Sequence, residues 1–320
     1  MMIRRQTFLV MFLLISVSCV RAMAQDHSLN NELLGAIRKG DTGTVKKLLD
    51  RGASASARDA DGDTALIYAA LYSDADCLKL LLDKGANVNE QNKDGLTALM
   101  MAAREAAKVR LLVAKGADLN ARSNSGYTAL MITAGQAGAL AILKEMIGKG
   151  ADSTIKDKAG RTALHNAVMS GDREIVSFLL DRGADPNAKT RENETPLMWA
   201  ATYKDPAIVK LLLDKGADPN IKDMGGHTAF LWANDLDAAE TLKLLVAKGS
   251  DVNVKNNEGY TALMWAALTE TGSVEMVKIL IDRGADPNAK SKNGTTALML
   301  AKRRGDTAVV AALKKAGATE

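Results

Sequence analysis

The sequence predicts an all-α solenoid in which a turn and two antiparallel helices recur about nine times, terminal units included. Two observations carry this. The phrase Gly-x-Thr-Ala-Leu, or a close variant, returns with its threonine at Thr64, Thr97, Thr128, Thr162, Thr195, Thr228, Thr261 and Thr296, at steps of 33, 31, 34, 33, 33, 33 and 35 residues. Each copy leads into an apolar stretch that ends like Leu179 to Asn187, in a leucine pair followed two residues later by Gly-Ala-Asp-x-Asn. A unit of this size cannot bury its own hydrophobic face, so it stacks on copies of itself.

Each element has a local reason. Threonine is placed as the N-cap of a short inner helix, its hydroxyl accepting a first-turn N–H. Alanine follows in most copies, and Pro196 in one, where no intrahelical hydrogen bond is lost. Leucine then opens an apolar stripe with paired alanines, as in Leu66, Ala69 and Ala70, and these let neighbouring helices approach closely. The outer helix shows three- and four-residue apolar steps, as in Ile208, Val209, Leu211, Leu212 and Leu213. It stops at Gly85, Gly116, Gly150, Gly183, Gly216, Gly249 or Gly284, residues that tolerate the left-handed conformation of a helix end.

These residues resemble the ankyrin repeat. The match is closest at Thr162-Ala163-Leu164-His165-Asn166-Ala167 and at Gly183–Asn187, and it covers nearly everything from residue 29 onward. Alanine replaces the family's proline after threonine, and methionine commonly replaces its histidine. The uneven steps trace to turns between the two helices, near Ala106, Gly138 and Gly272. The expected organisation is a leader over 1–24 and one ankyrin domain over 25–320. Its N-terminal cap is 28–60, its repeats are 61–93, 94–124, 125–158, 159–191, 192–224, 225–257 and 258–292, and its C-terminal cap is 293–320. Within the first cap, Asn31 stands in the threonine's N-cap place. Lys314 of the last unit replaces the second leucine of the pair and gives that unit a polar outer face.

Residues 1–24 read as a cleaved secretion signal. Arg4 and Arg5 form the positive region, Phe8 to Val20 the apolar core, and Ala22-Met23-Ala24 the cleavage site, which places the mature N-terminus at Gln25. An apolar run of 13 residues falls short of the roughly 20 that span a bilayer. Phe8 lies one position too far along for a twin-arginine signal, and Ser16 argues against a lipoprotein site at Cys19. The formal charge of +4 would drop to about +1 as Arg4, Arg5 and Arg21 leave. Basic and acidic residues alternate in the remainder (Asp181-Arg182, Asp214-Lys215), which argues against a nucleic-acid partner.

Chemistry is poorly represented. Cys77 is the one cysteine left after cleavage, expected as a buried, inert thiol, so no intramolecular disulfide can form. His27, His165 and His227 share no register and make no zinc set, so no metal or cofactor is expected. His165 occupies the family's structural histidine position. Asp59-Ala60-Asp61-Gly62-Asp63 lacks the spacing of a calcium loop. The reading is therefore a non-enzymatic scaffold for protein–protein interaction, monomeric, exported to the bacterial periplasm and free of the membrane after cleavage. The alternatives are an inhibitor or protective accessory of a periplasmic enzyme, an extracellular effector acting on a host or competitor protein, and an enzyme with an unrecognised site.

In the family, partners usually contact the turn tips and the exposed side of the inner helices. By that resemblance the tip candidates are the residues before each threonine, among them Tyr127, Arg161, Glu194, His227 and Tyr260. The inner helices offer a second set. All three tryptophans, Trp199, Trp232 and Trp265, stand four residues after a threonine on three consecutive repeats. Helices packed about 8–10 Å apart would place them in a row of roughly 20 Å. They either fill space between inner helices or offer anchors to an unidentified protein partner.

Overall fold

The structure is a computed structural model describing residues 28–203, 205–233, 238–268 and 274–319. The expected leader, its Ala24–Gln25 cleavage site, His27 and the turn around Gly272 lie outside the described residues. The fold is an all-α solenoid with no sheet among the described residues, where a lone bridge joins Arg58 and Thr64. The chain divides into two compact units, residues 1–133 with 144–152, and residues 134–143 with 153–320.

In the first unit, helix α1 covers residues 28–38 and α2 Thr42–Asp50. Then come inner and outer helices α3 (Ala65–Tyr72) and α4 (Ala75–Asp83), and α5 (Ala98–Met101) and α6 (Ala106–Ala114). The next pair, α7 (Ala129–Ala134) and α8 (Leu140–Gly148), has residues in both units. The second unit holds inner helices α9 (Ala163–Ser170), α11 (Pro196–Thr202), α13 (Ala229–Trp232), α15 (Ala262–Leu268) and α17 (Ala297–Arg304). Their outer partners are α10 (Arg173–Asp181), α12 (Pro206–Asp214), α14 (Ala239–Ala247), α16 (Val274–Asp282) and α18 (Thr307–Lys315). Inner helices pack on their own outer helices, as α3 does on α4, α9 on α10, α11 on α12 and α17 on α18. Inner helices also pack on inner ones and outer on outer, as α11 does on α9 and α13, and α12 on α10 and α14.

The caps follow the sequence reading in most repeats. The hydroxyls of Thr64, Thr97, Thr128, Thr195, Thr261 and Thr296 accept the N–H three residues on, at 3.1–3.4 Å. Thr228 makes no such bond, and its hydroxyl is buried without a partner. Asn31 does not act as an N-cap, because the helix is already formed at residue 28. Leu29, four residues before fully buried Leu33, is itself buried, and the helix extends N-terminally to cover it. The outer helices have caps the repeat phrase did not reveal: Asp41, Asp74, Asp172, Asp205 and Asp306 accept their first-turn N–H groups.

The outer helices end at glycines with φ near +90°, as at Gly85, where the Gly85 N–H bonds Leu82 C=O at 3.1 Å and the Ala86 N–H bonds Leu81 C=O at 3.0 Å. This pair of reversed bonds closes the last turn. The asparagine that follows then serves the next repeat. The Asn187 amide donates to Gly216 C=O and its oxygen accepts the Asp218 N–H, at 3.0 and 2.8 Å. Asn89, Asn120, Asn220, Asn253 and Asn288 make the same two bonds one repeat on. A second link joins the turns: the Arg191 N–H reaches Ala159 C=O at 2.7 Å, and the Asn257 N–H reaches Gly225 C=O at 2.9 Å. Turns meet so closely that a Cβ on Gly160 would stand 2.9 Å from the Arg191 nitrogen, which excludes other residues there.

The core is built of the repeated leucines and alanines. Ala69, Ala70, Ala200, Ala201, Ala266 and Ala267 are buried, as are Leu81, Leu112, Leu179, Leu212, Leu245 and Leu280. Cys77 is buried and free, and burial pushes its thiol up from the ordinary range. One core position is ionic: Lys108 is buried, its ammonium bonding Ala70 C=O at 3.0 Å and Glu105 at 2.8 Å.

Leu212→Ala should cost about 2–5 kcal/mol, as truncation of a fully buried leucine does. Lys215→Ala, which removes an exposed pair with Asp181, should cost less than about 1 kcal/mol. Urea unfolding of both variants measures this. Equal losses would mean that the outer-helix contacts, not the leucine core, hold the stack.

Candidate inner-helix groove

Each turn is organised by the residue five before the threonine, a position the sequence reading passed over. Asp59, Asn92, Ser123, Asp157, Thr190, Asp223, Asn256 and Ser291 each use a side-chain oxygen to accept the N–H of the residue four further on, at 2.8–3.1 Å. That residue is the one singled out as a tip. It therefore lies on the returning limb of the turn, not at its apex. Tyr127, Arg161, Glu194, His227 and Tyr260 are all half-buried, whereas apex residues such as Lys158, Arg191, Met224 and Asn257 are exposed.

Two of these residues, Glu194 and Tyr260, contact the inner helix they precede, and there the two candidate sets meet. In the second unit the Trp199 indole N–H donates to Glu194 Oε2 at 3.0 Å. The Trp232 indole donates to Asp223 Oδ2 at 2.9 Å, while Asp223 Oδ1 lies 3.3 Å from His227 Nδ1. Tyr260 packs on Trp265 with ring centroids 5.6 Å apart. Arg161 instead turns back to the buried carboxylate of Asp157, at 2.7 Å. All three tryptophans are half-buried, each combining packing with an open edge. Trp199 and Trp232 share a cavity of about 230 Å³ with Glu194, Thr202 and Tyr203, and Trp265 is not part of it.

His165 is structural. Its Nδ1 accepts the Thr162 backbone N–H at 3.2 Å and lies 3.0 Å from the Thr162 hydroxyl, and its Nε2 faces Glu194 C=O at 3.5 Å. Its ring meets the edge of Trp199, with centroids 5.1 Å apart. Burial holds its pKa down to about 4, so it is neutral near pH 7. Met198 copies part of this role, its sulfur accepting the Thr195 N–H at 3.4 Å.

The first unit carries its own version. The Tyr68 hydroxyl donates to Asp59 Oδ2 at 2.8 Å, and the Arg38 guanidinium lies over the Tyr68 and Tyr72 rings at 5.5 and 5.6 Å. Tyr68 shares the tryptophans' register, the one signal that could have found it. Asp59 is bound up in the turn, its oxygens taking the Asp61 and Asp63 N–H groups and the tyrosine hydroxyl. Among the described residues no group of three or more His, Cys, Asp or Glu could hold a metal, and no helix is long and apolar enough to cross a membrane.

A stack of helix pairs joined by hairpin-like turns is a helical-repeat binding fold. A family model described as ankyrin repeats (3 copies) matches residues 33–123, 69–157, 130–223 and 227–319, and the chain belongs to the ankyrin-repeat family. Such repeats are generally protein–protein interaction modules and typically non-enzymatic. No curated protein matches the chain.

The depressed His165 pKa fixes a pH dependence. Above about pH 6.5 the ring is neutral in both folded and unfolded chains and contributes nothing. Between about 6.5 and 4 the unfolded chain binds a proton that the folded one does not, so stability falls with pH, by up to about 3 kcal/mol. NMR titration of His165 should give a value well below 6.5, and His165→Gln should lose less stability than the parent between pH 7 and 4.5. Titration of His165 near 6.5 would remove this source of acid sensitivity.

Proposed function

We propose that the chain is a non-enzymatic scaffold that binds a partner protein along its inner-helix groove, as one ankyrin domain over residues 25–320 with end caps over 28–60 and 293–320. The observation that carries this reading is the pairing of half-open tryptophans with acidic turn residues, at Trp199 with Glu194 and Trp232 with Asp223. Aromatic anchors of this kind commonly carry much of an interface's energy. Tyr203, 53% accessible, stands beside both tryptophans and extends the same surface toward solvent. Residues 1–24 support export, by a positive region, an apolar core and Ala22-Met23-Ala24, so we place the work of the protein in the bacterial periplasm.

Two measurements test this. Intact mass of the exported protein should correspond to a chain starting at Gln25, and a membrane-retained form still carrying Arg4 would refute the export reading. Affinity capture with the tagged full chain on a periplasmic extract should recover a partner, and Trp232→Ala should weaken capture more than it lowers the unfolding midpoint. Capture that survives while the midpoint drops badly would make the tryptophan a packing residue.

A further inference from the structure

The cavity between α11 and α13 has a composition that specifies its occupant. Two indoles, from Trp199 and Trp232, and the Tyr203 phenol supply aromatic surface, and Glu194 supplies a carboxylate on the same wall. Ring faces attract cations through their quadrupole, most strongly where water is partly excluded. The two carboxylates nearest the indoles, Glu194 and Asp223, accept indole N–H groups that are uncharged. Such bonds leave the negative charge of each carboxylate in place. Among the described residues no cation pairs with Glu194; the Lys–Asp and Arg–Glu pairs of the chain lie elsewhere. An aromatic hollow with an unneutralised carboxylate on its wall is complementary to a cation.

The geometry also discriminates between cations. A guanidinium binds a carboxylate best through two parallel bonds to both oxygens. Glu194 Oε2 already receives the Trp199 indole at 3.0 Å, so a bidentate guanidinium would have to share that oxygen with the indole, whereas a single donor can bind at Oε1 alone. One available oxygen suits a compact point charge, the ammonium of lysine, whose four-carbon stem would lie along the indole faces. A volume of about 230 Å³ accommodates one such side chain and not a folded segment. We propose that this cavity is a lysine-recognition pocket, receiving one lysine side chain of the partner protein. The inference rests on the scaffold reading above and adds the chemistry of the contact.

The test uses the full chain and capped Gly-Gly-X-Gly-Gly peptides with X as lysine, arginine or norleucine, followed by the three indole N–H resonances. The lysine peptide should shift the Trp199 and Trp232 resonances saturably in the millimolar range while leaving Trp265 in place. Norleucine, which has the stem without the charge, should bind at least about fivefold more weakly. Glu194→Gln keeps an oxygen for the indole and should weaken lysine about fivefold with no change for norleucine. Its unfolding midpoint checks that the fold is intact. The proposal is overturned by equal binding of norleucine and lysine, by tighter binding of arginine, by shifts centred on Trp265, or by no shift with any peptide. Partner capture that depends on Trp232 without lysine-induced shifts would keep the scaffold and dismiss the pocket. Lysine-induced shifts without any captured partner would do the reverse.

Discussion

A repeat leaves backbone groups at the end of its outer helix that it has no residues of its own to satisfy. The glycine C=O and the N–H two residues later are completed by one asparagine of the preceding repeat, as Asn187 does for Gly216 and Asp218. Each such bond is solvent-exposed and contributes only about 0.5–1.5 kcal/mol. Its larger effect is geometric. A planar amide reaching two fixed backbone groups at about 3 Å sets both the spacing and the rotation of one repeat on the next. The paired alanines of the inner helices then fit, because their small side chains allow the approach the amide dictates. Six units carry this asparagine; Ser56 stands in its place after Gly52 and Thr154 after Gly150.

Fixed registration means that function is written by position within the repeat and not by neighbours in sequence. The fourth residue after the threonine is half-open in six repeats, with Asn166 and Leu300 buried, and the fifth before it folds the turn in every one. When the first is an indole and the second an aspartate they meet, as Trp232 and Asp223 do across nine residues of chain. Tyr68 and Asp59 meet in the same registers with different atoms. A substitution at the first position therefore alters the groove without touching the asparagine bonds that join one repeat to the next.

This division explains what could be read from the sequence. The period, the threonine caps, the glycine stops and the leucine core were legible because each repeats seven or eight times and has one physical cause. The role of Asp223 was not, because the five-before position is filled by aspartate, asparagine, serine or threonine, which share an acceptor oxygen and not a letter. The direction of Glu194 and its equivalents was misread for a related reason. The residue before the threonine is adjacent to the turn in sequence, but the hairpin-like bond of the Glu194 C=O to the Thr190 N–H places it on the returning limb. Asn31 misled because its chemistry fits a cap, while a buried leucine two residues earlier extends the helix past it. The burial of Lys108 was not legible either, because the Ala70 carbonyl that receives its ammonium belongs to a different repeat.

The two faces of the solenoid handle their carboxylates in opposite ways. On the outer helices Asp50, Asp83, Asp181 and Asp214 each pair with a lysine from the following repeat. Hydrogen bonds from Lys210 and then Lys248 hold Asp214 down to about 2. These exposed pairs add little stability, but they neutralise the outer surface and make it unremarkable to a charged partner. Along the groove of the second unit, Glu194 and Asp223 face indole N–H donors that fix the carboxylate without cancelling it. Asp157 is matched by Arg161, and Asp223 has the His227 ring 3.3 Å from its other oxygen. The chain as a whole is formally positive, at +4, so the uncancelled negative charge at the tryptophans is local. Local charge set against aromatic surface is a means of selecting one orientation of a partner, since the attraction is lost within about a Debye length, roughly 8 Å at physiological salt. Selectivity of that range requires contact, and contact requires the rings to be partly open, as they are.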